Sequence, residues 1–209
     1  MISIVNYGIG NIGSVANMLK HIGVPSRFAS SVDEIDAATA LLLPGVGAFG
    51  VAMQTLHRLG FVDVLRQKVL ANKTPILGIC LGMQILAKGS EEANSTGNEP
   101  GLGFIDADFA KFRFPPKSPF KVPHMGWSPI SVKRDTPLLA MSDEERRFYF
   151  VHSYYARCND PADVIATATY GDEFVCAYGR DNIFGTQFHP EKSHRFGMNL
   201  LKNFAAYAC

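Results

Sequence analysis

The chain lacks most of what would mark a specialised class. In its 209 residues there is no run of 18 apolar residues, so no segment reads as a membrane span and no membrane association is expected. Excess charge is also missing. Twenty Lys and Arg stand against 19 Asp and Glu, a net +1, whereas a surface built to grip phosphodiesters would carry a basic surplus. Nucleic acid is therefore not an expected partner. Only four cysteines occur (Cys80, Cys158, Cys176 and Cys209), and none stands in CxxC spacing. That argues against a zinc knuckle or a redox pair and fits a reducing compartment. The opening MISIVNYGIG has neither a charged start nor a long apolar stretch, so a secretory leader is not expected and a cytoplasmic location is. Repeats and low-complexity tracts are absent too.

What is present is ordinary globular material, 47% hydrophobic and 19% charged. At about 150 residues per domain the length favours a single domain, and a chain this long buries roughly 70% of its unfolded surface without a disulfide or metal. The first half alternates short β-branched runs with helical periods. Ile2–Val5 reads as a buried strand ended by the turn Gly8–Asn11, and Ile12, Val15, Leu19 and Ile22 then recur at helical spacing. Leu41–Leu43 is a second buried run stopped by Pro44-Gly45, residues 61–69 look helical, and 75–79 is a strand leading straight into Cys80. This rhythm means βαβ units on a parallel sheet. From Gly101 the runs become short and alternating, at 109–114, 130–133, 148–155, 164–169, 174–178 and 183–188. These read as antiparallel or mixed strands added to the same sheet. A closing helix carries Phe196, Leu200, Phe204 and Tyr207 on one face, and residues 89–101 read as a surface loop. The expected fold is one α/β domain over 1–209, with a central, mostly parallel mixed sheet flanked by helices.

Gly78-Ile79-Cys80-Leu81-Gly82 carries the sharpest chemistry. A thiol at a strand-to-helix turn is held in a strained conformation, and the glycines on either side leave room for the backbone. The helix that follows favours a thiolate, and the N–H of Leu81 can face an oxyanion. Phe188-His189-Pro190-Glu191 supplies the complement. Pro190 biases His189 toward an extended conformation, in which Glu191, two residues on, shares its side and can orient the ring. Cys80, His189 and Glu191 thus form a nucleophile, a base and an orienter. Pro44-Gly45-Val46-Gly47 ends a strand that would run beside the one ending at Cys80, and its glycines allow a peptide to turn an N–H toward developing negative charge.

Other features read less sharply. His21 and His57 fall in helical stretches and read as surface residues, while His124 and His152 read as satisfied structural histidines. No His pair has metal-ligand spacing, so no metal is expected. The GxGxxG of Gly8–Gly13 lacks a suitable acidic residue after the second strand region, which weakens a dinucleotide reading. Trp127, the only tryptophan, lies in what looks like a loop and reads as an interface anchor in preference to a core residue.

Taken together, PGVGAF, GICLGMQ and QFHPEKS resemble, in order and spacing, the class I (triad) glutamine amidotransferases. NYGIGNIGSV, KVPHMGW and FYFVHSYY are similar to the branch formed by the glutaminase subunits of imidazole glycerol phosphate synthases. The resemblance implies that Cys80 forms a γ-glutamyl thioester from L-glutamine, that His189 moves protons, and that Glu191 holds His189. It assigns the oxyanion hole to Leu81 and the loop of Gly45, Val46 and Gly47. Gln84 and Glu92 would bind the amino end of glutamine, and Ser153 and Tyr154 its polar end. Ammonia would pass to a (β/α)8-barrel cyclase subunit in a heterodimer of histidine biosynthesis, with Asn11, Trp127, Tyr149 and Lys192 facing that partner. No cofactor is implied. Two alternatives stay open on the sequence alone: a triad glutaminase serving a different synthase, and a silent subunit that only binds a partner.

Overall fold

The structure is a computed structural model and describes residues 1–92, 99–142 and 144–208. The first half runs β1 (Ile2–Val5), α1 (Ile12–His21), β2 (Ser26–Ala29), α2 (Val32–Asp36), β3 (Leu41–Gly45), α3 (Phe49–Arg58), α4 (Phe61–Arg66), β4 (Ile76–Cys80) and α5 (Leu81–Leu86). β1, β3 and β4 are buried along their whole length, as unbroken apolar runs must be when both faces of a parallel sheet are covered. Alternate residues serve opposite faces. Leu41, Leu43 and Ile76 pack with α3, α4 and α5, while Leu42, Leu77 and Ile79 pack with Ile2, Ile4, Val15 and Leu19. The helix expected over 61–69 divides: α4 ends at Arg66, and Gln67–Ala71 form a wider turn in which the N–H of Asn72 donates to the carbonyl of Gln67. The side-chain amide of Asn182 donates to the carbonyls of Val69 and Thr74, tying this turn to the one between β11 and β12 beside the start of β4.

The second half adds β5 (Gly89–Ser90), β6 (Ala107–Lys111), β7 (His124–Val132), β8 (Arg146–His152), β9 (Tyr154–Cys158), β10 (Val164–Tyr170), β11 (Asp172–Arg180), β12 (Ile183–Thr186) and α6 (His194–Ala208). The strands form one mixed sheet in the order β2-β1-β3-β4-β12-β11-β10-β7-β8, with β9 beside β11, β6 beside β9 and β5 beside β6. On the main path the parallel character is confined to β2, β1, β3, β4 and β12; from β11 to β8 the pairing is antiparallel.

Three sequence expectations need correction. The stretch around Trp127 is not a loop but part of β7. Its breakers are tolerated because β10 pairs with β7 only over Ile130–Val132, so Gly126 and Pro129 need no partner on that edge. The single strand expected over 148–155 is two strands, divided at Ser153. β8 pairs with β7, but β9 pairs with β6 and β11, and the chain bends where its partners change. Of the surface loop expected at 89–101, Gly89–Ser90 pair with β6, while 93–98 lie outside the described residues. No helix among the described residues is long and apolar enough to cross a membrane.

Register decides where chemistry gathers. Gly45 stands opposite Cys80 at the ends of β3 and β4, and Thr186 of β12 stands opposite Ile79. Loop 46–48, the turn at Cys80 and the stretch 187–191 therefore leave the sheet side by side, at its carboxyl edge.

Candidate active site

Cys80 occupies the turn between β4 and α5 with φ 54° and ψ −109°, a region that side chains rarely enter and that costs about 1–3 kcal/mol. The flanking glycines make the turn possible. A Cβ on Gly82 would overlap the Leu43 carbonyl oxygen, and one on Gly78 would come within 2.7 Å of the Gly82 backbone. Glycine at these positions lets α5 lie directly on β3 and β4, which fixes the direction in which the thiol emerges. The thiol itself is largely buried.

His189 is extended, with φ −100° and ψ 98°, as expected before proline. The extended conformation does not continue to Glu191, however. Pro190–Lys192 form a 3-10 turn, and Glu191 reaches back from it, its Oε1 lying 2.7 Å from His189 Nδ1 with both side chains only 2% exposed. A carboxylate accepts, so Nδ1 carries the proton and Nε2 is turned toward Cys80. Nε2 has no conventional hydrogen-bond partner. Burial works against a charged ring here, but interactions with Cys80 and then with Glu191 outweigh it and hold His189 up at about 9. The ring is pinned by its backbone as well: its N–H donates to the carbonyl of Tyr149 at 2.9 Å, and its carbonyl accepts from Ser193 Oγ at 2.6 Å.

A cleft opens over Cys80. Of the residues singled out from the sequence, Val46, Gly47, Cys80, Leu81, Gln84, Glu92, Ser153, Tyr154 and His189 line it. Gly45 lies buried beneath the loop, and Glu191 stands behind the histidine. Gly47 has φ +105°, conformational space open to glycine. Glu92 does not hang free: its Oε2 accepts from the N–H of Phe49 at 2.7 Å, at the first residue of α3. The carboxylate is thereby anchored on the rim.

Pro123, Val151 and His152 also line the cleft, and Gln187 stands behind Cys80; the sequence reading placed none of them in the site, taking His152 for a satisfied structural histidine. His152 Nδ1 donates to the Tyr154 carbonyl at 2.7 Å, so its Nε2 must accept. It accepts from His124 Nδ1 at 3.0 Å, and His124 Nε2 in turn accepts from Ser128 Oγ at 3.0 Å. Both rings are neutral, since burial drives His124 down to about 4 and His152 down to about 3. Twenty-eight residues separate this pair, and only the antiparallel pairing of β7 with β8 brings it together. Gln187 had a readable signal, because it precedes His189 by two residues along an extended segment.

Three of the four partner-facing candidates cluster beside the cleft. Trp127 is 41% exposed, its ring 6.2 Å from that of Tyr149, and Lys192 Nζ lies 5.7 Å from the Tyr149 ring. His194 stacks on Trp127 at 5.5 Å. Asn11 is exposed just before α1, and Ser14, Asn17 and Met18 of that helix share a surface hollow with Glu191 and His194. Among the described residues, no group of three or more His, Cys, Asp or Glu could hold a metal ion.

The family model of glutamine amidotransferase class-I matches residues 3–207. A Pseudomonas aeruginosa protein named imidazole glycerol phosphate synthase subunit HisH 2 is 50% identical over 204 residues, covering 98% of each chain. The Methanococcus maripaludis protein of the same name is 48% identical over 208 residues, covering 100% of each. Among solved structures, one described as a glutamine amidotransferase superposes with a TM-score of 0.76 at 18% identity, covering 99% of this chain and 98% of its own. A putative GMP synthase subunit from Thermoplasma acidophilum gives 0.70 at 22% identity, covering 99% and 92%. At those identities the structures speak for the fold alone.

Proposed function

Because the chain belongs to the class-I glutamine amidotransferase family, we propose that it is the glutaminase subunit of an imidazole glycerol phosphate synthase, acting in histidine biosynthesis. Relatives named as that subunit match along its whole length at 48–50% identity. The observation that carries the chemistry is the meeting of Cys80 with the Glu191-held imidazole of His189 in one cleft. The catalytic unit is a single amidotransferase domain spanning residues 1–209. Its three described cysteines are free thiols, in keeping with work in the cytoplasm.

In this reading Cys80, as thiolate, adds to the side-chain amide carbon of L-glutamine. The N–H of Leu81 and an N–H of the Val46–Gly47 loop receive the oxyanion. His189 gives its proton to the departing nitrogen, the C–N bond breaks, and ammonia leaves a γ-glutamyl thioester. A water then loses a proton to His189 and attacks the thioester, and glutamate departs. Glu92 meets the ammonium end of the substrate with opposite charge, and Gln84 binds beside it. The Ser153–Tyr154 backbone holds the other polar end, on a wall kept in shape by the His152 bond to Tyr154. Ammonia passes to a separate (β/α)8-barrel cyclase subunit docked over Asn11, Trp127, Tyr149 and Lys192.

The test is Cys80→Ala in the assembled complex. Glutamine-dependent synthesis is expected to vanish while synthesis from added ammonium salt persists, because this chain makes ammonia and the partner uses it. Retained glutamine turnover would remove Cys80 as the nucleophile.

A further inference from the structure

Two side chains, and not one, face the sulfur of Cys80. The second is Gln187, which is completely buried just past the end of β12 and held there by its own N–H on the Cys176 carbonyl. Its Nε2 lies 3.7 Å from Cys80 Sγ. Its Oε1 accepts from Gln84 Nε2 at 3.4 Å, which leaves its NH2 on the side of the sulfur. With Gln84 as it stands, turning Gln187 the other way would set two NH2 groups face to face and put a carbonyl oxygen against the sulfur. The chain of donors therefore runs in one direction, from Gln84 through Gln187 to Cys80.

A donor aimed at sulfur favours the thiolate over the thiol, and the bond strengthens as the charge develops. His189 also faces the sulfur, but its proton comes and goes during the reaction. When His189 has surrendered its proton to the leaving ammonia, the sulfur must still depart as an anion in the second half-reaction. In that step the water oxygen bonds to the acyl carbon, the water proton passes to His189, and the C–S bond breaks with its electron pair on sulfur. An amide cannot titrate, so its donor is present in both half-reactions.

We propose that Gln187 is a further catalytic residue, a fixed donor to the Cys80 sulfur, held in orientation by Gln84, that stabilises the thiolate before attack and again as the leaving group. This rests on the reading of Cys80 as nucleophile. A glutamine that merely filled space at the end of β12 would leave the ionisation of Cys80 unchanged when replaced by an apolar residue of similar size.

The test measures the rate of iodoacetamide labelling of Cys80 against pH, resolved by peptide mass, in the full chain and in Gln187→Leu, with the partner-bound complex assayed for kcat and KM. For Gln187→Leu the pH of half-maximal labelling is expected to move up by about one unit, the size of one hydrogen bond to a charged group. At pH 6.5 labelling should slow about tenfold, and kcat should fall with KM nearly unchanged. If Gln187→Leu does not fold, Gln187→Met keeps the length and removes the donor without adding a charge, and the same upward shift is expected. A profile that matches the parent chain in a folded variant overturns the proposal. Labelling of the parent chain with a glutamine-like diazo ketone separates the two levels: if Cys80 is not the modified residue, the nucleophile reading itself falls.

Discussion

Glu191 touches His189 through one oxygen, and in the proposed reaction His189 is the base turned toward Cys80, so the three side chains should fail to different degrees. Residues that act as a unit cost nearly as much singly as together. His189→Ala is accordingly expected to lower glutamine-dependent kcat almost as far as Cys80→Ala, roughly 10⁴-fold or more. Glu191 orients without reacting, so Glu191→Ala should cost roughly 10–100-fold less than the loss of either partner. Steady-state rates of the complex check the ranking, and a Glu191 variant as inert as Cys80→Ala would contradict it. The histidines also set a pH dependence of stability. His189 is raised from 6.5 to about 9 on folding, so its contribution is fully present below pH 6.5 and is lost as pH rises toward 9. His124 and His152 are depressed to about 4 and about 3, so between those values and 6.5 the unfolded chain binds more protons than the folded one. Stability then falls as pH drops below 6.5. These opposite signs give an expected maximum near pH 6.5, read as the urea midpoint at pH 5, 6.5 and 8.5. A midpoint that climbs steadily to pH 8.5 would contradict the account of His189, and one that stays flat from 6.5 to 5 would contradict that of the buried pair.

Elements carry their own prediction at the contact between α5 and β3. Gly82→Ala would drive a methyl group into the Leu43 carbonyl, and backbone cannot step aside as a flexible side chain can. Overpacking of this kind costs about 1–3 kcal/mol or more, so a clearly lower thermal midpoint is expected, with weaker glutaminase activity as Cys80 is displaced. An unchanged melt would mean that α5 does not rest on β3 as described. The same elements reveal what the sequence made legible. β1, β3 and β4 were readable because strands covered on both faces are unbroken apolar runs, and GICLG was readable because only glycine permits that turn. β7 was not, because Gly126 and Pro129 signal a loop unless one knows that this stretch has an open edge. The bend at Ser153 was hidden for a related reason: FYFVHSYY is one aromatic run, and only its change of strand partners divides it. The proposed triad was legible in the sequence as residue types only. Its geometry was reached by a different path, a 3-10 turn in place of an extended segment. The His124–His152 pair depends wholly on long-range register and left no local mark.

At the scale of the whole molecule, the cleft sits where the carboxyl ends of parallel strands, that of β4 at Cys80 among them, meet residues of the antiparallel half. The Ser153–Tyr154 wall and the exposed Trp127 come from that second half. One face thus carries both the glutaminase cleft and the patch that would meet a partner, and activity is expected to depend on that partner. A glutaminase running alone would release ammonia to water. If the loop after β3 supplies the oxyanion donor, as proposed, it is a physical means of preventing this. Gly45 is held by its pairing with Cys80 at the end of β3, whereas Val46 and Gly47 are exposed above the cleft. The peptides of that loop can therefore turn without disturbing β3. With a carbonyl and not an N–H toward Cys80, the oxyanion has one donor too few, a loss of about 10²–10³ in rate. A partner that binds the active loop state more tightly shifts the population toward it, and only such a difference in affinity can do so. The expected outcome is a lone chain at least about 10²-fold slower in glutamine hydrolysis than the same chain with a barrel cyclase carrying its substrate. Trp127 emission, followed during titration, reports binding independently of turnover. A lone chain as fast as the complex would remove the loop switch and, with it, the reason for channelling ammonia between two subunits.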